Sequence, residues 1–230
     1  MKNKQKILAI IPARGGSKRI PKKNIKLLMG KPLITYTIEA ALKSKYINKV
    51  VVSTDDGEIA GISEKYGAEV IKRPKKLAKD TTLTFPVVEH ALECLAKNEN
   101  YKPDMVIWLE PTSPLRGEFH VDKAIEQFLK DRCDSLLSVC SFVAFLWEIK
   151  NNKAAPLNYN LKKRLRTQDK KPDYRENGAI YITKYEIIVR KHNILGKKIG
   201  LYIMPEQDSA DINTEEDFIA CEDILRNKNP

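Results

Sequence analysis

An apolar run, Ile7-Leu8-Ala9-Ile10-Ile11, stops at Pro12 and gives way to Ala13-Arg14-Gly15-Gly16-Ser17-Lys18-Arg19-Ile20-Pro21-Lys22-Lys23-Asn24. Its length and branched side chains suit a strand buried on both faces, as in a parallel sheet. The Gly15-Gly16 pair then permits backbone turns that side chains forbid. Amides exposed by such a turn form an anion-binding concavity, and Arg14, Lys18, Arg19, Lys22 and Lys23 lie around it. A buried strand that delivers several cations to one tight turn can hold more than one phosphate. The segment matches neither G-x-x-x-x-G-K-[ST] nor G-x-G-x-x-G, so the ATPase P-loop and the dinucleotide fingerprint are unsupported.

Further strand-like runs at 50–53, 68–71, 105–109, 135–139, 179–183 and 199–204 alternate with helix-like segments. That alternation predicts an α/β fold with a Rossmann-like, mostly parallel sheet covered on both faces. Helices are expected from Leu33 to Lys45 after Pro32, from Glu58 to Tyr66 with Gly67 as cap, from Leu83 to Lys97 and from Val121 to Leu129. A last helix, Glu215 to Arg226, is entered by Thr214 with Asp217 three residues on, an approximate capping box. Asp211 and Asn213 therefore fall on the turn before a helix, of the kind that presents side chains at the carboxyl edge of an open sheet.

The alternation breaks down between Ser141 and Arg175. The expected organisation is one domain over 1–230 with 141–175 as an inserted lobe. Irregular segments of this length in compact proteins usually serve a site or an interface. Phe142, Phe145, Leu146 and Trp147 are too many large apolar groups to leave in water, which favours an interface.

No apolar stretch approaches the ~20 residues that span a bilayer, and the N-terminal run leads into a charged loop without a small-residue cleavage site. A cytoplasmic protein without membrane contact is expected. The four cysteines, Cys94, Cys133, Cys140 and Cys221, show no C-x-x-C spacing and suggest neither zinc nor disulfides. The net charge of +11 is spread along the chain, and Lys162-Lys163-Arg164 and Lys170-Lys171 lack interleaved aromatics. A polyanionic small substrate and a lysine-rich surface account for that charge better than nucleic acid.

Ala13, Arg14, Ser17, Lys18, Pro21, Lys23 and Asn24 reproduce A-R-x-x-S-K-x-x-P-x-K-N, so the opening resembles that of the acylneuraminate cytidylyltransferases, the CMP-sialic acid synthetase type. Other landmarks follow in the family's order: Val50 to Asp56, Arg73-Pro74 with Leu77 to Thr81, Leu109-Glu110-Pro111-Thr112-Ser113-Pro114-Leu115-Arg116, Arg175 to Ile182, and Asp208 to Thr214. The resemblance spans nearly the whole chain. The related 3-deoxy-manno-octulosonate cytidylyltransferases share a similar strand without the Lys-Asn ending.

The resemblance implies transfer of CMP from CTP to a nonulosonic acid, a nine-carbon 2-keto acid sugar of sialic, legionaminic or pseudaminic type, with Mg²⁺ and release of pyrophosphate. Ala13, Arg14, Gly15, Gly16, Ser17, Lys18, Lys23 and Asn24 would bind the nucleotide, with Lys18 or Lys23 stabilising the leaving pyrophosphate. Arg73, Asp80 and Thr81 would read cytosine. Glu110, Arg175, Asn177, Tyr181, Gln168 and Arg166 would face the sugar, and Asp211 with Asn213 the metal. The lobe would reach across a homodimer.

The chain departs from the family's pattern at three places. Asn213 replaces the second carboxylate of Asp-x-Asp, Glu110 replaces a common glutamine, and Arg166 serves only if the register shifts by one, with Arg175 as the fallback. No general base stands out, and metal-activated and substrate-assisted deprotonation remain equal options. A 3-deoxy-octulosonate-type transferase and a non-catalytic nucleotide-binding protein are the other readings.

Overall fold

The computed structural model describes residues 5–228. Strand β1 (Ile7–Pro12) leads through the glycine loop to a small ribbon of β2 (Leu27–Leu28) and β3 (Lys31–Pro32), then to α1 (Leu33–Lys43) and β4 (Lys49–Thr54). Next come α2 (Gly57–Lys65), β5 (Glu69–Lys72), α3 (Thr84–Glu99), β6 (Met105–Trp108), α4 (Glu118–Asp131) and β7 (Ser135–Phe142). A second ribbon of β8 (Trp147–Lys150) and β9 (Lys153–Pro156) precedes β10 (Asp173–Lys184), α5 (Tyr185–Lys191), β11 (Ile199–Ile203) and α6 (Glu215–Lys228).

Seven strands form one sheet in the order β11-β7-β10-β6-β1-β4-β5, parallel except for β10, which runs antiparallel to both neighbours. The expected parallel α/β sheet is present. Alternation along β1 sends Ile7, Ala9 and Ile11 into a core with Ile34 and Ile38 of α1 and Val121 and Ile125 of α4, while Leu8 and Ile10 meet Val88, Ala91 and Leu95 of α3. Each isoleucine, leucine or valine among these removed from water contributes about 1.5–3 kcal/mol of transfer free energy, which is why this strand is apolar throughout.

Connections leave β1 toward β4 on one side, while β6 pairs with it on the other. The chain therefore opens a crevice at the carboxyl ends of β1 and β6, the usual ligand position in open α/β sheets. A third apolar cluster, with Ile20, Leu28, Leu33, Ile212 and Phe218, ties the loop after β1 to the turn before α6. Arg19 and Lys23 are thereby held close to Asp211 and Asn213.

Several local expectations are met in atomic detail. Asp217 Oδ2 accepts from the amides of Asn213 and Thr214, and the Asp217 amide donates to Thr214 Oγ1, which completes the reciprocal cap of α6. Gly67, with φ of +91°, follows α2 as its cap. The glycine pair behaves differently from expectation. Neither Gly15 nor Gly16 has a positive φ, and a Cβ on Gly15 would lie 2.6 Å from Asp56 Oδ2. Gly15 is thus required by close approach of the acidic turn after β4, and Gly16 by neither criterion.

Four features were not anticipated: the β2–β3 ribbon, α5, the antiparallel sense of β10, and the β8–β9 ribbon inside the 141–175 segment. Asn151 and Asn152, with φ of 52° and 59°, close that ribbon in a two-residue loop of the type I′ class. Tyr159 packs edge-on against Phe145 and Trp147 at 4.9 and 5.8 Å, and Arg164 lies 4.5 Å over Phe145. Trp147 nevertheless stays 53% exposed and Ile149 84%. All four cysteines are free, and no helix among the described residues is long and apolar enough to cross a membrane.

Candidate active site: two clefts at the carboxyl edge of the sheet

The loop after β1 and the end of β6 enclose a cleft of about 480 Å³. Arg14, Lys18, Arg19 and Lys23 line it from the glycine loop, Arg73, Thr82 and Thr84 from the segment after β5, and Glu110 from the end of β6. Two of the loop's amides are already engaged: Gly15 donates to Asp55 Oδ1 and Ser17 to the Gly15 carbonyl. An anion in this cleft is therefore met chiefly by side chains. Asn24 is buried and donates its amide to the Arg14 carbonyl, so it braces the loop. Lys22 turns away to Glu58.

Asp80 pairs with both Arg14, at 2.6 Å, and Lys18, at 2.5 Å, and its carboxyl is held below the usual range chiefly by the Lys18 bond. Lys23 Nζ donates to the Ile212 carbonyl at 2.7 Å. Burial lowers its pKa, with the nearby Asp211 opposing that shift. Arg73 is buried along β4, donating to the Ser53 carbonyl at 2.6 Å.

Glu110 marks the inner end of this cleft. Trp108 Nε1 donates to its Oε1 at 2.7 Å. Burial pushes its carboxyl up to about 7 and the charge of Asp211 adds to the rise, while the indole bond, Lys23 and Arg73 oppose it. Behind it lies Arg116, only 1% exposed, which donates to the carbonyls of Ala179 and Glu110 and to Thr37 Oγ1, with Nε left without a partner. That guanidinium, its pKa lowered by burial to about 9, fixes the end of β6 against β10.

A second cleft of about 580 Å³ opens on the other side of Asp211, with Arg175, Glu176, Asn177, Tyr181 and Ser209 in its lining. Its wall is built by a bulge in β10, where Asn177 to Ile180 intervene opposite the single residue Ser138 between the paired Val139 and Leu137 of β7, and Gly178 takes φ of +71°. Asn177 Oδ1 accepts from Ser138 Oγ at 2.6 Å, and its Nδ2 donates to Ser209 Oγ at 2.9 Å. Tyr181 stacks on Trp108 with centroids 4.7 Å apart and donates to Glu176 Oε2. Trp108 thus touches Glu110 in the first cleft and Tyr181 in the second, so the two share a wall.

Asp211 is exposed at the junction. Asn213 Nδ2 donates to Asp211 Oδ2 at 2.6 Å, and Asn213 Oδ1 accepts from Arg19 at 2.9 Å. No group of three or more His, Cys, Asp or Glu side chains suited to a metal occurs among the described residues. One exposed carboxylate beside an amide oxygen does not make a closed protein cage. It does fit a Mg²⁺ that keeps waters and shares substrate phosphates.

The structure brings Arg14, Ser17, Lys18, Lys23, Asn24, Arg73, Asp80 and Glu110 to the first cleft and Arg175, Asn177, Tyr181 and Asp211 to the second. Thr81 is exposed and outside the lining, where Thr82 and Thr84 stand instead. Arg166 and Gln168 are exposed on the lobe, and Arg166 forks onto Asp169 rather than entering either cleft. Ala13 is buried in the core. Arg19, Trp108 and Arg116 received no site role from the sequence. The first lay visibly within the basic run, whereas the other two read as ordinary strand and turn residues.

The fold matches that of CMP:2-keto-3-deoxy-manno-octonic acid synthetase solved with CTP, at a TM-score of 0.73 and 17% identity over 97% of this chain and 99% of that one. It also matches the 4-diphosphocytidyl-2C-methyl-D-erythritol synthase of Anaerococcus prevotii, at 0.71 and 15% over 97% and 100%. At such identities the match defines a nucleotidyltransferase-type fold.

Residues 8–223 match the cytidylyltransferase family model, and the chain belongs to that family. It is 33% identical to the N-acylneuraminate cytidylyltransferase of Escherichia coli over 97% of its own length and 53% of that protein, so it spans about half of that relative. Two relatives are covered almost fully. They are the post-translational flagellin modification protein B of Campylobacter coli, 35% identical over 97% of this chain and 96% of that one, and the pseudaminic acid cytidylyltransferase of Campylobacter jejuni, 34% identical over 93% of each.

Proposed function

We propose that the protein transfers CMP from CTP to a nonulosonic acid, forming a CMP-sugar and pyrophosphate. The observation that carries this reading is the pair of clefts joined through Trp108, one rich in cations and the other lined by a tyrosine and mixed polar groups. The names of the relatives support the nucleotide and the sugar class.

Arg14, Lys18, Arg19 and Lys23 bind the triphosphate, and Arg73 with Thr82 and Thr84 reads the base. The anomeric hydroxyl oxygen of the sugar forms a bond to the α-phosphorus as the bond to pyrophosphate breaks, and the hydroxyl proton leaves to water or to a phosphate oxygen. Lys23, partly desolvated, stabilises the charge that develops on the leaving group, and most of the rate comes from such positioning and charge. Asp211 and Asn213 would hold Mg²⁺, which when bound neutralises phosphate charge. Arg175 is the arginine of the sugar cleft. The exposed apolar side chains of the β8–β9 ribbon seat against a second copy, making a homodimer.

The test is pyrophosphate release from CTP, UTP and ATP with a panel of sialic, legionaminic and pseudaminic acids and 3-deoxy-octulosonate, with and without Mg²⁺. Turnover is expected with CTP and a nine-carbon acid, and markedly less with UTP. Equal use of the three nucleotides, or turnover with the eight-carbon acid alone, would overturn the reading.

A further inference from the structure

His120 and Asp208 form a buried polar pair that touches neither cleft. His120 is 7% exposed and Asp208 8%. His120 Nε2 lies 3.1 Å from Asp208 Oδ2, and its Nδ1 lies 3.0 Å from the Tyr202 hydroxyl. The other carboxylate oxygen of Asp208 accepts from Lys228. Four elements therefore meet around this pair: the first turn of α4, β11, the turn after β11, and the end of α6.

The position of Asp208 in the chain gives this pair its consequence. Ser209 follows immediately, anchored by the Asn177 amide and by its own bond to the Pro205 carbonyl. Ile212, one residue beyond Asp211, donates its amide to the Thr112 carbonyl and accepts from Lys23. Asp211 is thus an exposed carboxylate on a short span fixed at both ends. The upstream fixing is polar and directional, since a buried Asp must be satisfied by specific donors and leaving it unpaired costs more than a bond is worth.

We infer that His120 is a positioning residue, which through Asp208 and Ser209 sets where Asp211 stands between the two clefts. The inference rests on the reading of Asp211 as the metal carboxylate. His120 itself meets no substrate. Its imidazole passes orientation from α4 into the span, as a second layer of bonds does for many metal ligands.

The geometry of the two ring nitrogens supplies a discriminating test. Glutamine places its amide near Nε2 and asparagine near Nδ1, so His120→Gln retains the bond to Asp208 and His120→Asn retains only the one to Tyr202. CTP affinity is measured calorimetrically with and without Mn²⁺, together with kcat, acceptor KM and Tm. For His120→Asn the Mn²⁺-dependent gain in CTP affinity should shrink at least fivefold and kcat should fall, with metal-free CTP affinity within twofold of wild type. His120→Gln should stay within twofold throughout.

Equal behaviour of the two variants, or a fall in Tm alone, would overturn the inference. Should neither fold, Asp208→Asn, which keeps volume, must reproduce the loss of metal-dependent gain or the inference fails. If wild type shows no gain with Mn²⁺, the metal reading fails on its own. The pair is then judged by acceptor KM through the Ser209–Asn177 wall, raised fivefold in His120→Asn and unchanged in His120→Gln, and any other pattern overturns it.

Discussion

Glu110 carries the sharpest consequences at the scale of single residues. Its carboxyl, raised by burial from the ordinary 4.5 to about 7, favours the protonated form in the folded state. Its stabilising contribution is therefore complete below the unfolded value and is lost as pH climbs through 4.5 to 7. Glu110→Gln removes that loss, so the variant should gain on wild type by about 1–3 kcal/mol between pH 5 and pH 8. Thermal unfolding curves that stay parallel across that range would contradict the burial of this charge. Glu110, expected to face the sugar, lines the first cleft instead and reaches the second only through Trp108 stacked on Tyr181, so the same substitution should reorder kcat/KM among nonulosonic acids through that stack, and an equal loss for every sugar would make Glu110 merely structural. Asp211→Ala should cut turnover at least ~10²-fold, as losing one electrostatic stabiliser does. Asn213→Asp keeps the acceptor facing Arg19 and adds charge, so it should preserve or raise Mg²⁺ affinity; near-native activity of the Asp211 variant at saturating Mg²⁺ would move the metal elsewhere.

Within the elements, the loop after β1 separates two glycines that look alike in sequence. A Cβ at Gly15 meets Asp56 Oδ2 at 2.6 Å and Asp56 Cβ at 2.9 Å, whereas one at Gly16 meets nothing. Asp56 caps α2 through the amides of Glu58 and Ile59, so it cannot yield without loosening that helix. Gly15→Ala should cost about 1–3 kcal/mol in stability, in the range of overpacking, and weaken CTP binding, while Gly16→Ala should do neither. Denaturation midpoints and CTP titration check both. The central strands and the helices were readable because burial on two faces leaves apolar runs and burial on one leaves stripes. The antiparallel β10 was only half readable: Asp173 to Glu176 pair with β7 alone and read as loop, whereas Ala179 to Thr183 are buried or partly buried. At seven residues, with its buried Ile187 and Ile188 side by side, α5 is too short to show a helical stripe, and the roles of Trp108 and Arg116 depend on contacts between distant segments that no local pattern encodes.

For the molecule as a whole, Trp147 and Ile149 lie on one face of a ribbon that cannot cover them, which argues for association through that face. Light scattering should give a dimer at micromolar concentration, and replacing both with serine should yield a folded monomer; a wild-type monomer would refute the dimer. The net charge of +11 invites the thought that nucleotide binding must be acutely sensitive to ionic strength. The Asp80 carboxylate already seated on Arg14 and Lys18 argues otherwise. A triphosphate arriving there exchanges one anion for another, and added salt weakens the outgoing contact along with the incoming one. CTP affinity should therefore decline gently with salt in the natural protein and steeply in Asp80→Asn, which would also bind more tightly in dilute buffer. The protein would then hold its affinity across changes in ionic strength that would disarm an open basic pocket, and identical salt slopes for the two proteins would show that Asp80 gives no such protection.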